Sequence, residues 1–148
     1  MPALKLTCLS CGQVNRLPDD RLSASPKCGI CGAALMSGKA QLVDLQILQK
    51  AARSDDVALL VDFWAPWCGP CRAMAPEFEK AALQLKGRAR LVKIDTQAYP
   101  QASQKWNIRG IPAFILFRSG REILRESGAR PAHDLLRIVE GNLRMKAS

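Results

Sequence analysis

The chain has 148 residues, 48% of them hydrophobic, and a formal net charge of +9. This length accommodates about one domain with a small appendage, and the hydrophobic content is typical of a globular protein. The positive charge is dispersed, without a run of five like charges, and residues 1–38 contain no aromatic side chain on which a base could stack. The sequence therefore predicts no nucleic-acid binding.

The N-terminal residues 1–8 lack the apolar core and the cleavage pattern of a signal peptide. No stretch of the sequence approaches the roughly 18 apolar residues that cross a bilayer. We therefore expect a cytoplasmic protein without a membrane segment. In that reducing compartment, paired cysteines are more often metal ligands or catalytic groups than structural disulfides.

Four of the six cysteines form two Cys-x-x-Cys pairs near the N-terminus, namely Cys8, Cys11, Cys28 and Cys31. The 16 residues between the pairs fall in the spacing range of four-cysteine zinc sites. Four thiolates complete a tetrahedral shell, so the predicted Zn²⁺ ion, one per chain, is structural. Two disulfides or four free thiols are the alternatives. Residues 15–18 and 23–26, which are polar and rich in turn formers, are predicted to be loops of this small domain.

From residue 39 onward, strands and helices are predicted to alternate. The predicted strands are residues 40–43, 57–63, 90–95, 113–118 and 121–126, and the continuous apolar run at 57–63 indicates a strand buried on both faces. The predicted helices are residues 45–53, with Asp44 as the N-cap, 72–85, 98–106 and 131–145. This order implies an α/β domain with a mixed central sheet and helices on both faces. The predicted domains are therefore residues 1–38, which bind zinc, and residues 39–148.

The third cysteine pair, Cys68 and Cys71, lies between a predicted strand and a predicted helix. Two cysteines at this spacing can alternate between a dithiol and a disulfide. Because the first turn of a helix has unpaired backbone N–H groups, negative charge is stabilised there. The sequence therefore predicts a redox pair in which Cys68 favours the reactive thiolate form.

This pair belongs to the motif Val-Asp-Phe-Trp-Ala-Pro-Trp-Cys-Gly-Pro-Cys at residues 61–71, and a second motif, Ile-Arg-Gly-Ile-Pro, follows at residues 108–112. With them the chain resembles the thioredoxin family over about residues 40–146. When the N-terminal cysteines are included, it resembles the bacterial members that carry a zinc-binding N-terminal extension. The resemblance implies a thioredoxin fold preceded by a small zinc-ribbon-like domain, a monomer, and no bound organic cofactor.

The resemblance also implies a protein-disulfide reductase. Cys68 would attack a substrate disulfide, and Cys71 would resolve the resulting mixed disulfide. The implied partners are disulfide-containing proteins and thioredoxin reductase, which would return electrons from NADPH. A disulfide oxidase or isomerase and a zinc-linked redox-sensing binding module are the alternatives.

Two charged residues are implied to assist the cysteines. Asp62 would be a buried base that deprotonates Cys71 through water, whereas a solvated acid at the strand end is the alternative. The family's lysine partner usually stands at the position of Leu91, two residues before Lys93. Because a shift of two residues keeps a side chain on the same face of a strand, Lys93 either approaches Asp62 or lies in solvent.

The remaining implied residues surround Cys68. Pro112 would follow a cis peptide bond, face the two cysteines and keep metal ions from the pair. The substrate-binding surface would consist of Trp67, Gly69, Pro70, Ile111, Gly128 and Ala129.

Overall fold

A mixed five-stranded sheet with helices on both faces forms the larger part of the fold, and a two-stranded hairpin precedes it. The computed structural model describes residues 3–145, with side chains described as far as residue 143. The strands are β1 (Ala3–Thr7), β2 (Val14–Pro18), β3 (Gln41–Leu42), β4 (Ala58–Trp64), β5 (Ala89–Asp95), β6 (Ala113–Arg118) and β7 (Arg121–Ser127). The helices are α1 (Leu45–Ser54), α2 (Gly69–Gln84), α3 (Pro100–Lys105) and α4 (Ala132–Met145).

The strand order in the sheet is β3-β5-β4-β6-β7. The central strand β4 pairs in parallel with β5 and antiparallel with β6. The edge strands β3 and β7 pair in parallel with β5 and antiparallel with β6, respectively. The predicted mixed sheet and the predicted order of its strands and helices are therefore confirmed.

Strand β4 is buried on both faces, as its apolar sequence predicts. Leu59, Val61 and Phe63 belong to a core cluster that includes residues of α1 and α3. Leu60 belongs to a second cluster, which includes residues of α2 and α4. Because side chains alternate along a strand, Asp62 points to the same face as Leu60. The only acidic residue of β4 is thereby directed towards the helix that carries the redox cysteines.

Two helix starts explain how the sequence positions the site. At α1, the Asp44 carboxylate accepts a hydrogen bond of 2.8 Å from the N–H of Ile47, which confirms the predicted N-cap. Helix α2 begins at Gly69, earlier than the predicted residue 72. Pro70 is tolerated in its first turn because N–H groups there have no intrahelical acceptor. As a result, Cys68 is the N-cap residue of α2.

The prediction that residues 15–18 form a loop is wrong, because they belong to strand β2. This strand pairs antiparallel with β1 in a hairpin that aligns Lys5 with Arg16. Only Leu17 of the five residues in β2 is buried. The other side chains face solvent or lie partly exposed, so a short strand can be as polar as a loop.

The hairpin is joined to the sheet at the N-terminal end of β4. The Asp55 carboxylate accepts a hydrogen bond of 2.8 Å from the N–H of Thr7 and also pairs with Arg90. Arg90 donates a second hydrogen bond of 3.3 Å to the carbonyl oxygen of Leu35. Both charged side chains are buried, with 4% of Arg90 and 2% of Asp55 exposed. Burial raises the pKa of Asp55, and the positive charge of Arg90 opposes that shift.

Candidate active site and metal centre

Cys68 and Cys71 form a disulfide at the start of α2, with their Cα atoms 5.3 Å apart. The Sγ atom of Cys68 accepts a hydrogen bond of 3.2 Å from the N–H of Cys71. Both residues are buried, with 4% of Cys68 and 2% of Cys71 exposed. In the dithiol form, this N–H group and the helix start stabilise a thiolate on Cys68.

The loop before β6 faces the disulfide. The Ile111–Pro112 peptide bond is cis, as the resemblance implies. The carbonyl oxygen of Ile111 lies 3.8 Å from the Sγ atom of Cys68. Two segments 43 residues apart in the sequence therefore meet at the reactive sulfur.

A second loop completes the rim of the site. The N–H of Gly128 donates a hydrogen bond of 2.9 Å to the carbonyl oxygen of Pro112. Gly128 has a φ of +95°, in the region that favours glycine, and Ala129 beside it is exposed. Trp67, directly before Cys68, leaves 68% of its surface exposed. Its indole therefore forms part of the exposed surface beside the disulfide.

Gly69 and Pro70, between the two cysteines, are also exposed. Apart from its chain neighbours and the backbone of α2, no described atom lies within 4 Å of the position that a Cβ at Gly69 would take. The backbone of this turn is therefore open to solvent.

Asp62 is fully buried, so the alternative of a solvated acid is wrong. Within residues 3–145, neither of its carboxylate oxygens has a hydrogen-bond partner. Burial raises the pKa of Asp62 to about 7, and the charge of Lys93 opposes that shift. A carboxyl group with this pKa can exchange a proton near neutral pH, which is the property of a general base.

Lys93 lies directly beside Asp62, since the two residues are aligned partners in the parallel strands β5 and β4. Its Nζ atom lies 4.7 Å from the ring centroid of Trp64, in a cation–π contact. The ammonium group is thus held by an aromatic ring, and its effect on Asp62 is exerted through its charge.

Trp64 is a further residue of this site and is not among those that the resemblance implies. Its spacing from Asp62 is the signal that was available, because residues i and i+2 share a face of a strand.

The four N-terminal cysteines converge at one point, and their sulfur atoms all lie within 4.8 Å of one another. The Sγ atoms of Cys8 and Cys31 are 3.6 Å apart, and those of Cys11 and Cys28 are 3.7 Å apart. Four sulfurs bound to a central Zn²⁺ ion at about 2.3 Å would lie about 3.8 Å apart in a tetrahedron. The donor atoms and their spacing therefore fit zinc.

Each cysteine pair forms the same tight turn. The N–H of Gly12 bonds to the carbonyl oxygen of Cys8 at 2.8 Å, and the N–H of Gly32 bonds to that of Cys28 at 3.0 Å. Both glycines have positive φ values, +84° and +79°. Backbone N–H groups, chiefly those of Cys31 and Ile30, lower the pKa of Cys28 to about 6. At Cys28 these contacts favour the thiolate form that binds a metal ion. At Cys11 a backbone hydrogen bond from Gln13 lowers the pKa, but burial and the neighbouring thiols outweigh it and raise the pKa to about 11.

Among residues 3–145, no helix has the length and apolar content that crossing a bilayer requires. The family model described as thioredoxin matches residues 40–141, and the model described as thioredoxin 2, N-terminal, matches residues 7–33.

Thioredoxin C-3 of Corynebacterium nephridii is 36% identical over 141 residues, which cover 95% of this chain and 97% of that protein. Thioredoxin 1 of Nostoc sp. is 41% identical over 108 residues, which cover 73% of this chain and all of that protein. The crystal structure of chloroplastic thioredoxin z superimposes with a TM-score of 0.66 at 34% identity, covering 72% of this chain and 96% of that one. The chain therefore belongs to the thioredoxin family of thiol–disulfide oxidoreductases.

Proposed function

We propose that this protein reduces protein disulfides through the Cys68/Cys71 dithiol. The observation that carries the proposal is the redox pair at the start of α2, with the Ile111 carbonyl oxygen 3.8 Å from Cys68 Sγ. A helix start provides a thiolate, and the facing loop provides backbone groups for a substrate.

In the first step, the Cys68 thiolate attacks one sulfur of the substrate disulfide. The substrate S–S bond breaks, a bond forms between Cys68 and that sulfur, and the other substrate sulfur leaves as a thiolate that takes up a proton. In the second step, Asp62 accepts the proton of Cys71 through water, since its raised pKa suits this transfer. The Cys71 thiolate attacks the Sγ atom of Cys68, the bond between Cys68 and the substrate breaks, and the first substrate sulfur leaves as a thiolate that takes up a proton, which restores the Asp62 carboxylate when Asp62 is the donor. Two electrons have then moved from the protein to the substrate.

The substrate segment lies extended along the loop before β6, where the N–H and C=O groups of Ile111 pair with it as a neighbouring strand would. Pro112 faces the two cysteines. The exposed surface around Cys68 provides the remaining contacts, from Trp67, Gly69, Pro70, Gly128 and Ala129. The positive charge of Lys93 limits how far burial raises the pKa of Asp62.

Cys8, Cys11, Cys28 and Cys31 hold one Zn²⁺ ion, which supplies structural cross-linking, because four thiolates leave no open coordination position. We assign residues 1–38 to this zinc-binding domain and residues 39–148 to the thioredoxin domain. The proposed reductant is NADPH, acting through thioredoxin reductase in the cytoplasm, with the protein as a monomer.

The test is insulin reduction by the full chain with NADPH and thioredoxin reductase. We expect Cys68→Ser to abolish turnover. Cys71→Ser should accumulate substrate as a mixed disulfide on Cys68, because the resolving thiolate is missing. Retained turnover by Cys68→Ser would contradict the assignment. A Cys68/Cys71 reduction potential of about −120 mV, which is typical of strong oxidants, would instead favour a disulfide oxidase.

A further inference from the structure

A pocket of about 330 Å³ lies beside the proposed substrate-binding loops. One wall consists of residues 107–110, which lead directly into Ile111. The opposite wall consists of residues 125–127, which lead directly into Gly128. Because Ile111 and Gly128 belong to the two loops at the rim of the site, the pocket adjoins the path of an extended substrate segment.

Two of the charged side chains that line the pocket are neutralised within the protein. Arg125 donates hydrogen bonds of 2.7 and 2.8 Å to the carboxylate of Glu122 and one of 2.8 Å to the carbonyl oxygen of Trp106. Glu126 forms an ion pair with Arg130 at 3.6 Å. These groups contribute little net charge to the pocket.

Arg109 also lines the pocket, and its charge is not matched in this way. The side chain is exposed, and its Nε atom makes one long contact of 3.4 Å with the amide oxygen of Asn107. Within the described part of the chain, its terminal guanidinium nitrogens have neither a carboxylate nor a carbonyl partner. A guanidinium group offers paired N–H donors in the geometry that a carboxylate accepts.

We propose that this pocket is a subsite for an aspartate or glutamate side chain of the substrate, and that Arg109 binds its carboxylate. The inference rests on the proposed function, because a disulfide-bearing segment along Ile111 is what delivers a side chain to this position. Successive residues of an extended segment advance by about 3.3 Å, with alternating side-chain directions. The acidic residue therefore lies close in sequence to the cysteine that Cys68 attacks.

The test uses the full chain, reduced and freed of reductant, in single turnovers with two peptide homodimers. Each peptide has one cysteine, which forms the disulfide. Two residues before and two residues after this cysteine, one peptide carries glutamate and the other carries glutamine. Because exposed ion pairs are weak, we expect a second-order rate constant about threefold higher for the glutamate peptide. Arg109→Gln should remove this difference, and Arg109→Lys should retain part of it.

The matched control is Arg121→Gln, an exposed arginine at the opposite end of β7 from the pocket. It should leave the preference for the glutamate peptide unchanged, whereas raised KCl should reduce it in the unaltered protein. Equal rates for the two peptides, or an unchanged preference in Arg109→Gln, would overturn the acidic subsite while leaving the reductase intact. Failure to reduce either peptide would overturn the proposed function, and with it this inference.

Discussion

Arg90 of β5 and Asp55, which precedes β4, form a buried ion pair where the N-terminal segment with its four cysteines meets the sheet. The same carboxylate accepts a hydrogen bond from Thr7, and the same guanidinium donates one to the Leu35 carbonyl oxygen. Thr7 directly precedes Cys8 in the sequence, and Leu35 follows Cys31. The ion pair therefore connects the segment that carries the four N-terminal cysteines to β5 and to the loop before β4, through polar contacts that solvent does not reach.

Replacement of Asp55 by alanine should destabilise the protein strongly. The Arg90 guanidinium would remain buried without a counter-charge, and the Thr7 N–H would lose its acceptor. Breaking a buried pair from one side costs about 3–5 kcal/mol. Urea unfolding should show a loss of this size in the free energy of unfolding. The control is Arg88→Ala, which removes an exposed ion pair with Glu140 and should cost less than about 1 kcal/mol. Similar losses for both variants would contradict the role assigned to Asp55.

The sequence was informative where local chemistry determines structure. The apolar run of β4, the N-cap at Asp44 and the redox motif are local patterns, and all three are present as predicted. The strand β2 was missed because most of its residues are polar and partly exposed. The Arg90–Asp55 pair joins residues 35 positions apart, and nothing in either local sequence indicates its partner.

The environment of Asp62 also combines a feature that the local sequence predicts with one that it does not. The burial of Asp62 could be expected from the motif, whereas the contact of Lys93 with Trp64 depends on the register between β4 and β5. That register results from packing across the whole sheet. Local sequence patterns do not determine it.

The buried Asp62 carboxyl group should make stability depend on pH. Its pKa is about 7 in the folded oxidised protein, compared with about 3.9 in an unfolded chain. Between these values the folded state holds a proton that the unfolded state has released, so stability falls as the pH rises through this range. A shift of roughly 3 pKa units corresponds to about 4 kcal/mol.

Asp62→Asn should therefore raise the free energy of unfolding at pH 8.5 by as much as about 4 kcal/mol and make its decline between pH 4 and 8 shallower, leaving the part that the raised pKa of Asp55 contributes. The same variant should slow the release of the mixed disulfide, because Cys71 loses its base. Urea titrations of the oxidised protein across this range provide the measurement. Asp44→Asn, which keeps an N-cap residue at a less buried site, serves as the control. Parallel pH profiles for Asp62→Asn and the unaltered protein would contradict the assigned pKa.

Lys93 should tune Asp62 through its charge. Lys93→Gln removes the positive charge that opposes the raised pKa, so the pKa of Asp62 should rise further. The pH profile of single-turnover disulfide reduction should shift to higher pH in this variant. Lys105→Gln is a matched control, because Lys105 also lies over an indole ring, that of Trp106. A shift of the same size in both variants would mean that Lys93 has no specific effect on Asp62.

Loss of zinc should weaken the N-terminal domain more than it weakens catalysis. Cys31→Ser replaces an exposed ligand and should abolish zinc retention, whereas Ser10→Ala, an exposed change within the first cysteine pair, should retain it. Zinc analysis with thiol titration should find one ion and four protected thiols per chain in the unaltered protein, with two further thiols that appear on reduction.

The thermal midpoint of Cys31→Ser should fall, because the apolar cluster around Leu6 loses its metal cross-link. Insulin reduction should largely persist, because the active site and the attachment of the N-terminal segment lie at opposite ends of β4. Cys68 follows the C-terminal end of this strand, whereas Asp55, which binds Thr7, precedes its N-terminal end. Complete loss of reduction in a still-folded Cys31→Ser protein would mean that the zinc-binding domain supports the active site itself.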